Sequence, residues 1–474
     1  MASSPPLFYI SSPRNFRHRN ASSTMTSSSG SCSPSPYSLS YANSLSLCHH
    51  RLGHNWNFMT FVVFYTFLIF TVIVCLHRGG VRNFWKRLSL KAEVMSTAHG
   101  NLSSRTDMSN EEDKPNHLLV LVHGIMGSPS DWTCFEAELR KRLGKNFLIY
   151  VSSCNMYTKT FTGIDGAGKR LADEVMEIVK KTENLEKISF LAHSLGGLIA
   201  RYAVAVLYTP NVFSERTGNT DSSIASKLET YSASALIAGL EAIAFITLAT
   251  PHLGVRGNKQ LPFLLGMQFL EKLAAPIAPI FTGHTGSQLF LTDGKPNKPP
   301  LLLRMASDCD DGNFLSALGT FKCRVVYANV SYDHMVGWRT SSIRRETELA
   351  EPPGHSLDGY EHIVGIEECP PVVSENPQFP PGAAKAKEVA QNEPSTRNTI
   401  EYHEIMEEEM VRGLQQLGWI KVDVCFQTAF WPLFAHNTIQ MKNVWPQNVG
   451  LEVVAHVADT IKQQDSSPCI GASS

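Results

Sequence analysis

The chain has 474 residues, a net charge of −1, 43% hydrophobic residues and 18% charged residues. That length can bury one large core and still leave a long appendage. The neutral charge balance gives no electrostatic footprint for nucleic acid, so no nucleic-acid partner is expected. The ten cysteines are scattered without a paired framework, as in a chain kept reduced in a cytosol-like compartment.

Residues 1–55 are rich in Ser, Pro and Asn. They carry Arg14, Arg17 and Arg19 but no acid, the first in the chain being Glu93. Such a composition cannot bury a core and is expected to be disordered; it also has the character of an organelle transit peptide. Residues 58–76 read FMTFVVFYTFLIFTVIVCL, an uncharged run long enough to cross a hydrocarbon core of roughly 30 Å. We therefore expect a single transmembrane helix within residues 56–78. A buried core helix would lack neighbouring elements to pack against, and a cleaved signal would begin closer to Met1. Arg78, Arg82, Lys86, Arg87 and Lys91 follow the span, whereas Arg51 is the nearest Lys or Arg before it, so the remainder of the chain is expected on the cytosolic side. A plastid membrane is the alternative location. Residues 79–114 read as a basic juxtamembrane segment and linker, and initiation at Met95 would give a form without the span.

From residue 115 the pattern becomes α/β. His117 to Val122 is an apolar strand that runs into His123-Gly124-Ile125-Met126-Gly127. Residues 161–183 carry Ile164, Leu171, Val175, Ile178 and Val179 at helical spacing, as an amphipathic crossover helix does. Lys187 to Leu191 is a second strand, followed by Ala192-His193-Ser194-Leu195-Gly196 and a good helix former over 197–204. A serine between small residues at a strand-to-helix turn can be held exposed as a nucleophile. The His-Gly-x-x-Gly loop about seventy residues earlier supplies amides for an oxyanion: Ile125 or Met126, together with Leu195 after the nucleophile. His123 and His193 are expected to shape their loops rather than exchange protons.

A polar loop over 211–232 leads to an apolar strand over 242–249 and then to Thr250-Pro251-His252, where the histidine either lines a pocket or braces the loop. Residues 253–285 are largely apolar and broken by Pro and Gly, a candidate lid or acyl-chain wall, with core packing as the alternative. After the strand at 322–330 comes Asp333, the expected acid of a triad in the chain order Ser, Asp, His. Asp308, Asp310 and Asp311 lie before that strand in a polar loop and are read as surface charges. Residues 351–398 form a Pro-rich insertion expected to be a surface loop, followed by a helix over 402–417 and a strand over 420–426. The loop after that last strand carries His436, the expected general base; His456 competes but falls inside the closing amphipathic helix.

The segments LLVLVHGIMGSPSDW, FLAHSLGGLIARYA, ITLATPHLGV, FTGHTGSQLFLTD, YANVSYDHMVGWRTSSIRR and FAHNTIQ resemble the DUF676 serine esterases, lipase-like α/β-hydrolases of plants and fungi, over roughly residues 115–462. The resemblance implies a serine hydrolase acting on carboxylic esters, in particular lipid esters. In related hydrolases the acid loop commonly reads Asp-x-x-Val-Pro, and Gly337 stands here in place of the proline. No metal or cofactor is required by this chemistry. The same triad serves thioesterases and amidases, and the fold also occurs in non-catalytic binding proteins. The oligomeric state is not set by these features.

Overall fold

In a computed structural model the chain divides into two units, Met1–Asp107 and Met108–Ser474. The structure describes residues 114–210, 235–255, 280, 282–295, 298–349, 356, 359–372, 396–427, 434–442 and 449–466. The expectations for residues 1–113 lie outside these, as do the loop at 211–232 and most of the apolar stretch at 253–285. Among the described residues no helix is long and apolar enough to cross a membrane; the span at 58–76 is not one of them.

Seven strands form the main sheet: β1 His117–Val122, β2 Phe147–Val151, β3 Lys187–His193, β4 Glu241–Leu248, β5 Cys323–Asn329, β6 Ile363–Cys369 and β7 Trp419–Val424. Their spatial order is β6-β7-β5-β4-β3-β1-β2. Every pairing is parallel except the antiparallel edge pair β6–β7. This is an α/β-hydrolase-like fold with a mostly parallel sheet.

The central strands are Val/Ile/Leu/Phe runs because both faces are covered, as parallel sheets require. Leu118, Val120 and Val122 of β1 belong to one apolar layer, with α2 (Ile164–Lys181) and α3 (Leu195–Leu207). Leu119 and Leu121 belong to the other, with α1 (Thr133–Leu143) and α5 (Leu451–Ser466). In α2, Ile164, Leu171 and Val175 are buried, which is the stripe that the helical spacing specifies.

The insertion expected as a loop over 351–398 contains β6 and the start of α4 (Thr396–Gln415). Strand β6 escapes pattern reading because it is an edge: Ile363 and Val364 are buried, but Ile366, Glu367 and Glu368 face solvent. Charged edge residues blunt an open ladder and at the same time erase the apolar signature of a strand. The β2 strand, FLIYV, was likewise not singled out, being short and only partly buried.

At the end of the sheet opposite the serine turn, His117 lies between Ser189 and Asp465. Its Nε2 is 2.8 Å from Ser189 Oγ and its Nδ1 is 3.0 Å from Asp465 Oδ1. This second Ser-His-Asp array is a clamp and not a site. Ser189 is fully buried and its oxygen accepts the Ala244 amide at 3.1 Å, so no carbonyl can approach it. Asp465 also pairs with Lys187 at 2.9 Å and thereby ties α5 to β3. The hydrogen bond from His117, followed by that from Lys187, holds the Asp465 carboxyl down at about 2.

A carboxylate whose folded value lies below its unfolded value stabilises the fold above that unfolded value and loses the contribution as pH falls through the folded one. Asp465→Asn is therefore expected to cost roughly 1 kcal/mol at pH 7, after discounting for the partial exposure of the group. Urea melts should show the gap to wild type closing between about pH 4 and pH 2; a gap that widens there would contradict this assignment.

Candidate functional site

Strand β3 ends at His193, and α3 begins at Leu195. Ser194 between them has φ 55° and ψ −129°, a backbone conformation in which non-glycine residues are strained. Three contacts hold it there. Its amide donates to Leu248 O at 2.9 Å, and its carbonyl accepts Thr250 Oγ1 at 2.9 Å and the Gly197 amide at 3.1 Å. The small residues around the turn follow from close approach. A Cβ on Gly196 would lie 2.5 Å from Val122 O and 2.6 Å from His123 O, and neither backbone oxygen can move without disturbing β1. Gly196→Ala is expected to lower stability by about 1–3 kcal/mol, the usual range for overpacking; an unchanged thermal midpoint would refute this account of the turn.

The His-Gly-x-x-Gly loop packs directly against the serine. A Cβ on Gly124 would lie 2.9 Å from Ser194 Cβ and 3.4 Å from its Oγ. Of the two amides predicted from this loop, that of Met126 donates to Thr160 Oγ1 at 3.1 Å. The amides of Ile125 and Leu195 have no acceptor among the described residues, and Leu195 sits in the first turn of α3, where N–H groups lack an intrahelical partner. Residues 125 and 195 thus offer uncommitted donors next to Ser194, whereas residue 126 does not.

His436 is the second residue of a short helical turn, Ala435–Thr438, beyond β7. Its Nε2 is 3.0 Å from Ser194 Oγ, and its Nδ1 is 3.0 Å from Asp333 Oδ2. Ser194, Asp333 and His436, each at most 6% exposed, are thus brought together from positions up to 242 residues apart. Asp333 is the acceptor of four hydrogen bonds. Oδ1 takes the amides of Met335 and Val336, both at 2.9 Å; Oδ2 takes His436 Nδ1 and Asn329 Nδ2, the latter at 2.8 Å. Burial alone would push this carboxyl up, but the His436 charge and the hydrogen bonds from His436, Asn329 and Val336 together hold it below its ordinary value.

The sequence gives Asn329 no role at this site, and His193 is expected from it only to shape its loop. Asn329 ends β5, four residues before Asp333, and it reads as an ordinary strand terminus until its partner is seen. His193 Nε2 donates to the His436 carbonyl at 2.8 Å, and the two rings lie 4.7 Å apart. Burial, reinforced by the proximity of the His436 charge, depresses His193 well below the usual histidine range and keeps it neutral. A neutral ring can hold the His436 backbone without competing for a proton on the His436 ring.

The remaining histidines separate cleanly. His123 Nδ1 donates to Gly124 O at 3.0 Å, within its own loop. His252 is fully buried, with Nε2 2.9 Å from Thr247 Oγ1 and its carbonyl accepting Arg201 at 3.1 Å, so it braces the loop after β4. His456 lies on α5, 2.7 Å from the Tyr327 hydroxyl. Asp308 accepts the amides of Leu315 and Ser316, and Asp311 pairs with Lys298 and Arg304; neither belongs to the serine site.

Residues 112–343 match the family model described as "Putative serine esterase (DUF676)". Over this segment the chain is similar to that family. Similar curated proteins include a "Putative lipase" of Schizosaccharomyces pombe, 26% identical over 281 residues, covering 57% of this chain and 30% of that protein. "Putative lipase ROG1" of Saccharomyces cerevisiae is 28% identical over 235 residues, covering 48% of this chain and 29% of that protein. The matched part is thus under a third of the length of these relatives. Among solved structures, Bacillus licheniformis lipase BlEst2 in its propeptide form is 17% identical, with a TM-score of 0.28, covering 47% of this chain and 37% of that chain. A likeness at that level adds nothing to what the sheet order and the DUF676 match establish.

Proposed function

We propose that this chain is a serine hydrolase of carboxylic esters, with Ser194 as nucleophile, His436 as general base and Asp333 as the acid that orients the imidazole. The observation that carries the reading is the His436 ring, within 3.0 Å of Ser194 Oγ on one side and of Asp333 Oδ2 on the other. With Nδ1–H donated to Asp333, Nε2 is free to accept the Ser194 proton as Oγ attacks the ester carbonyl. The amides of Ile125 and Leu195 then receive the developing oxyanion. Collapse expels the alcohol, which takes the proton from His436 Nε2 and leaves an acyl-Ser194 ester. Water, deprotonated by the same nitrogen, releases the acid.

Lipid esters, acylglycerols or phospholipids, are the substrate class this reading favours. Met126 in the oxyanion loop, Tyr332 and Met335 on either side of Asp333, and Phe434 two residues before His436 are all large, apolar and exposed. Exposed apolar side chains gathered on the loops that carry one site mark an apolar ligand or surface. In the same reading residues 58–76 anchor the chain in a membrane with the hydrolase domain in the cytosol, which would raise the effective concentration of lipid at the site.

An alkyl fluorophosphonate should label the folded full-length chain at Ser194, located by peptide mass spectrometry. A panel of monoacylglycerol, triacylglycerol, phospholipid, acyl-thioester and short aryl esters should then show preference for a long-chain oxyester. Absence of labelling would overturn the hydrolase reading, and a preference for the thioester would overturn the substrate class. Protease protection of the chain in microsomes tests the anchor: the hydrolase domain is expected to be digested from the cytosolic face.

A further inference from the structure

The loop after β1 and the connection after β2 are cross-tied beside Ser194, and one of the two ties passes through a hydroxyl. Met126 adopts φ 54° and Tyr157 also φ 54°, both left-handed conformations that cost energy for residues with a side chain. Two hydrogen bonds join the strained residues across the loops. Met126 N donates to Thr160 Oγ1 at 3.1 Å, and Tyr157 N donates to Gly127 O at 2.9 Å. Thr160 Oγ1 in turn donates to Tyr157 O at 2.6 Å, so one buried hydroxyl both accepts from the first loop and donates to the second. Thr160 is itself fixed, because its carbonyl accepts Thr285 Oγ1 at 2.6 Å, which also accepts the Gly163 amide at 3.0 Å. Thr160 and Thr285 are fully buried.

A tight turn can trade one peptide orientation for another at modest cost, unless the N–H of the next residue is held. Here the turn runs from Gly124, packed on Ser194, to Gly127, whose amide closes back on Gly124 O at 3.1 Å. Fixing the Met126 amide fixes the Ile125–Met126 peptide plane and with it the turn in which the Ile125 amide sits. The Thr160 hydroxyl is fully buried, and its loss would take from the Met126 N–H and the Tyr157 carbonyl the partner they share.

We infer that Thr160 is a positioning residue for the oxyanion loop: its hydroxyl clamps the Met126 amide and so holds Ile125 as the uncommitted donor beside Ser194. The inference rests on the hydrolase reading above. Thr160 does not touch substrate, so its effect is confined to states in which an oxyanion exists. A directly lost oxyanion donor costs about 10²–10³ in kcat, and a loosened one should cost part of that.

The test compares Thr160→Ser, Thr160→Cys and Thr160→Val in the full chain, using p-nitrophenyl butyrate turnover and inhibition by an arylboronic acid, which forms a tetrahedral adduct on the serine. Thr160→Val is expected to lower kcat roughly 10- to 100-fold with KM within about twofold of wild type, and to weaken the boronic acid by a similar factor. Thr160→Ser, which keeps the hydroxyl, should stay within about threefold of wild type, and Thr160→Cys should fall between them. If Thr160→Val does not fold, as judged by thermal melting, the Ser–Cys comparison decides on its own. Equal kcat in Ser and Cys, wild-type kcat in Val, or a Val defect confined to KM would overturn the positioning role and leave the hydrolase reading standing. No turnover and no labelling in the wild type would overturn both.

Discussion

Ser194→Ala is expected to lower kcat by about 10⁶-fold while leaving the fold intact, the scale on which loss of a triad nucleophile acts. The two halves of this expectation come from different atoms. The side chain contributes one hydrogen bond, from Oγ to His436 Nε2. The strained turn is held by backbone groups that alanine retains: the Ser194 amide on Leu248 O, and its carbonyl under Thr250 Oγ1 and the Gly197 amide. Thermal melting should therefore place the variant within about 1 kcal/mol of wild type, or above it if the buried hydroxyl is a net cost. Residual hydrolysis above the uncatalysed rate would come from binding and the amides of Ile125 and Leu195. Near-wild-type turnover in a folded Ser194→Ala protein would remove Ser194 from the mechanism.

Asp333→Asn should lower kcat by roughly 10⁴-fold through the wrong tautomer of His436 and not through lost packing. The four donors around Asp333 decide how the amide must lie. Oδ1 faces the backbone N–H groups of Met335 and Val336, so the asparagine carbonyl takes that side. Its NH2 then faces His436 Nδ1 and the Asn329 side-chain amide, where an acceptor is needed. His436 can meet an NH2 only by accepting at Nδ1, which places its proton on Nε2, where it cannot take the proton of Ser194. The carboxyl itself lies below its ordinary range, so its stabilising contribution is present at neutral pH and is lost only as pH falls through that lowered value. Kinetics at pH 7 with a short aryl ester, alongside ¹⁵N spectra of the His436 ring, would check both the magnitude and its cause. A loss of under tenfold, or an Nδ1–H tautomer in the variant, would contradict the assignment.

Much of the fold was legible because its local signals are strong. Apolar runs at 117–122, 187–193, 241–248 and 323–329 are buried on both faces, and such strands need few other residues to declare them. Strand β6 was not legible: Glu367 and Glu368 serve an exposed edge, and edges are written in the polar residues that loops also use. Within the site, Ser194, Asp333 and His436 stand in an interpretable chain order. Asn329 and Thr160 carry no sequence mark, because an asparagine at a strand end and a threonine in a connection are common. Only their partners, Asp333 and Met126, distinguish them.

Taken alone, the sequence determined what a few consecutive residues can encode. It specified a strand feeding a small-x-Ser-x-Gly turn, a glycine-bearing loop after β1, and an amphipathic α2. These follow from sterics and side-chain periodicity within one or two turns of chain. Tertiary structure decided the choice of partners. It set His436 on Ser194 and His456 on Tyr327, gave the Met126 amide to Thr160 while leaving that of Ile125 uncommitted, and turned His193 onto the His436 carbonyl. Each of those choices joins groups from 34 to 243 residues apart. A hydrogen bond depends on position to a few tenths of an ångström, and only the packed sheet and its helices fix positions so finely across such separations.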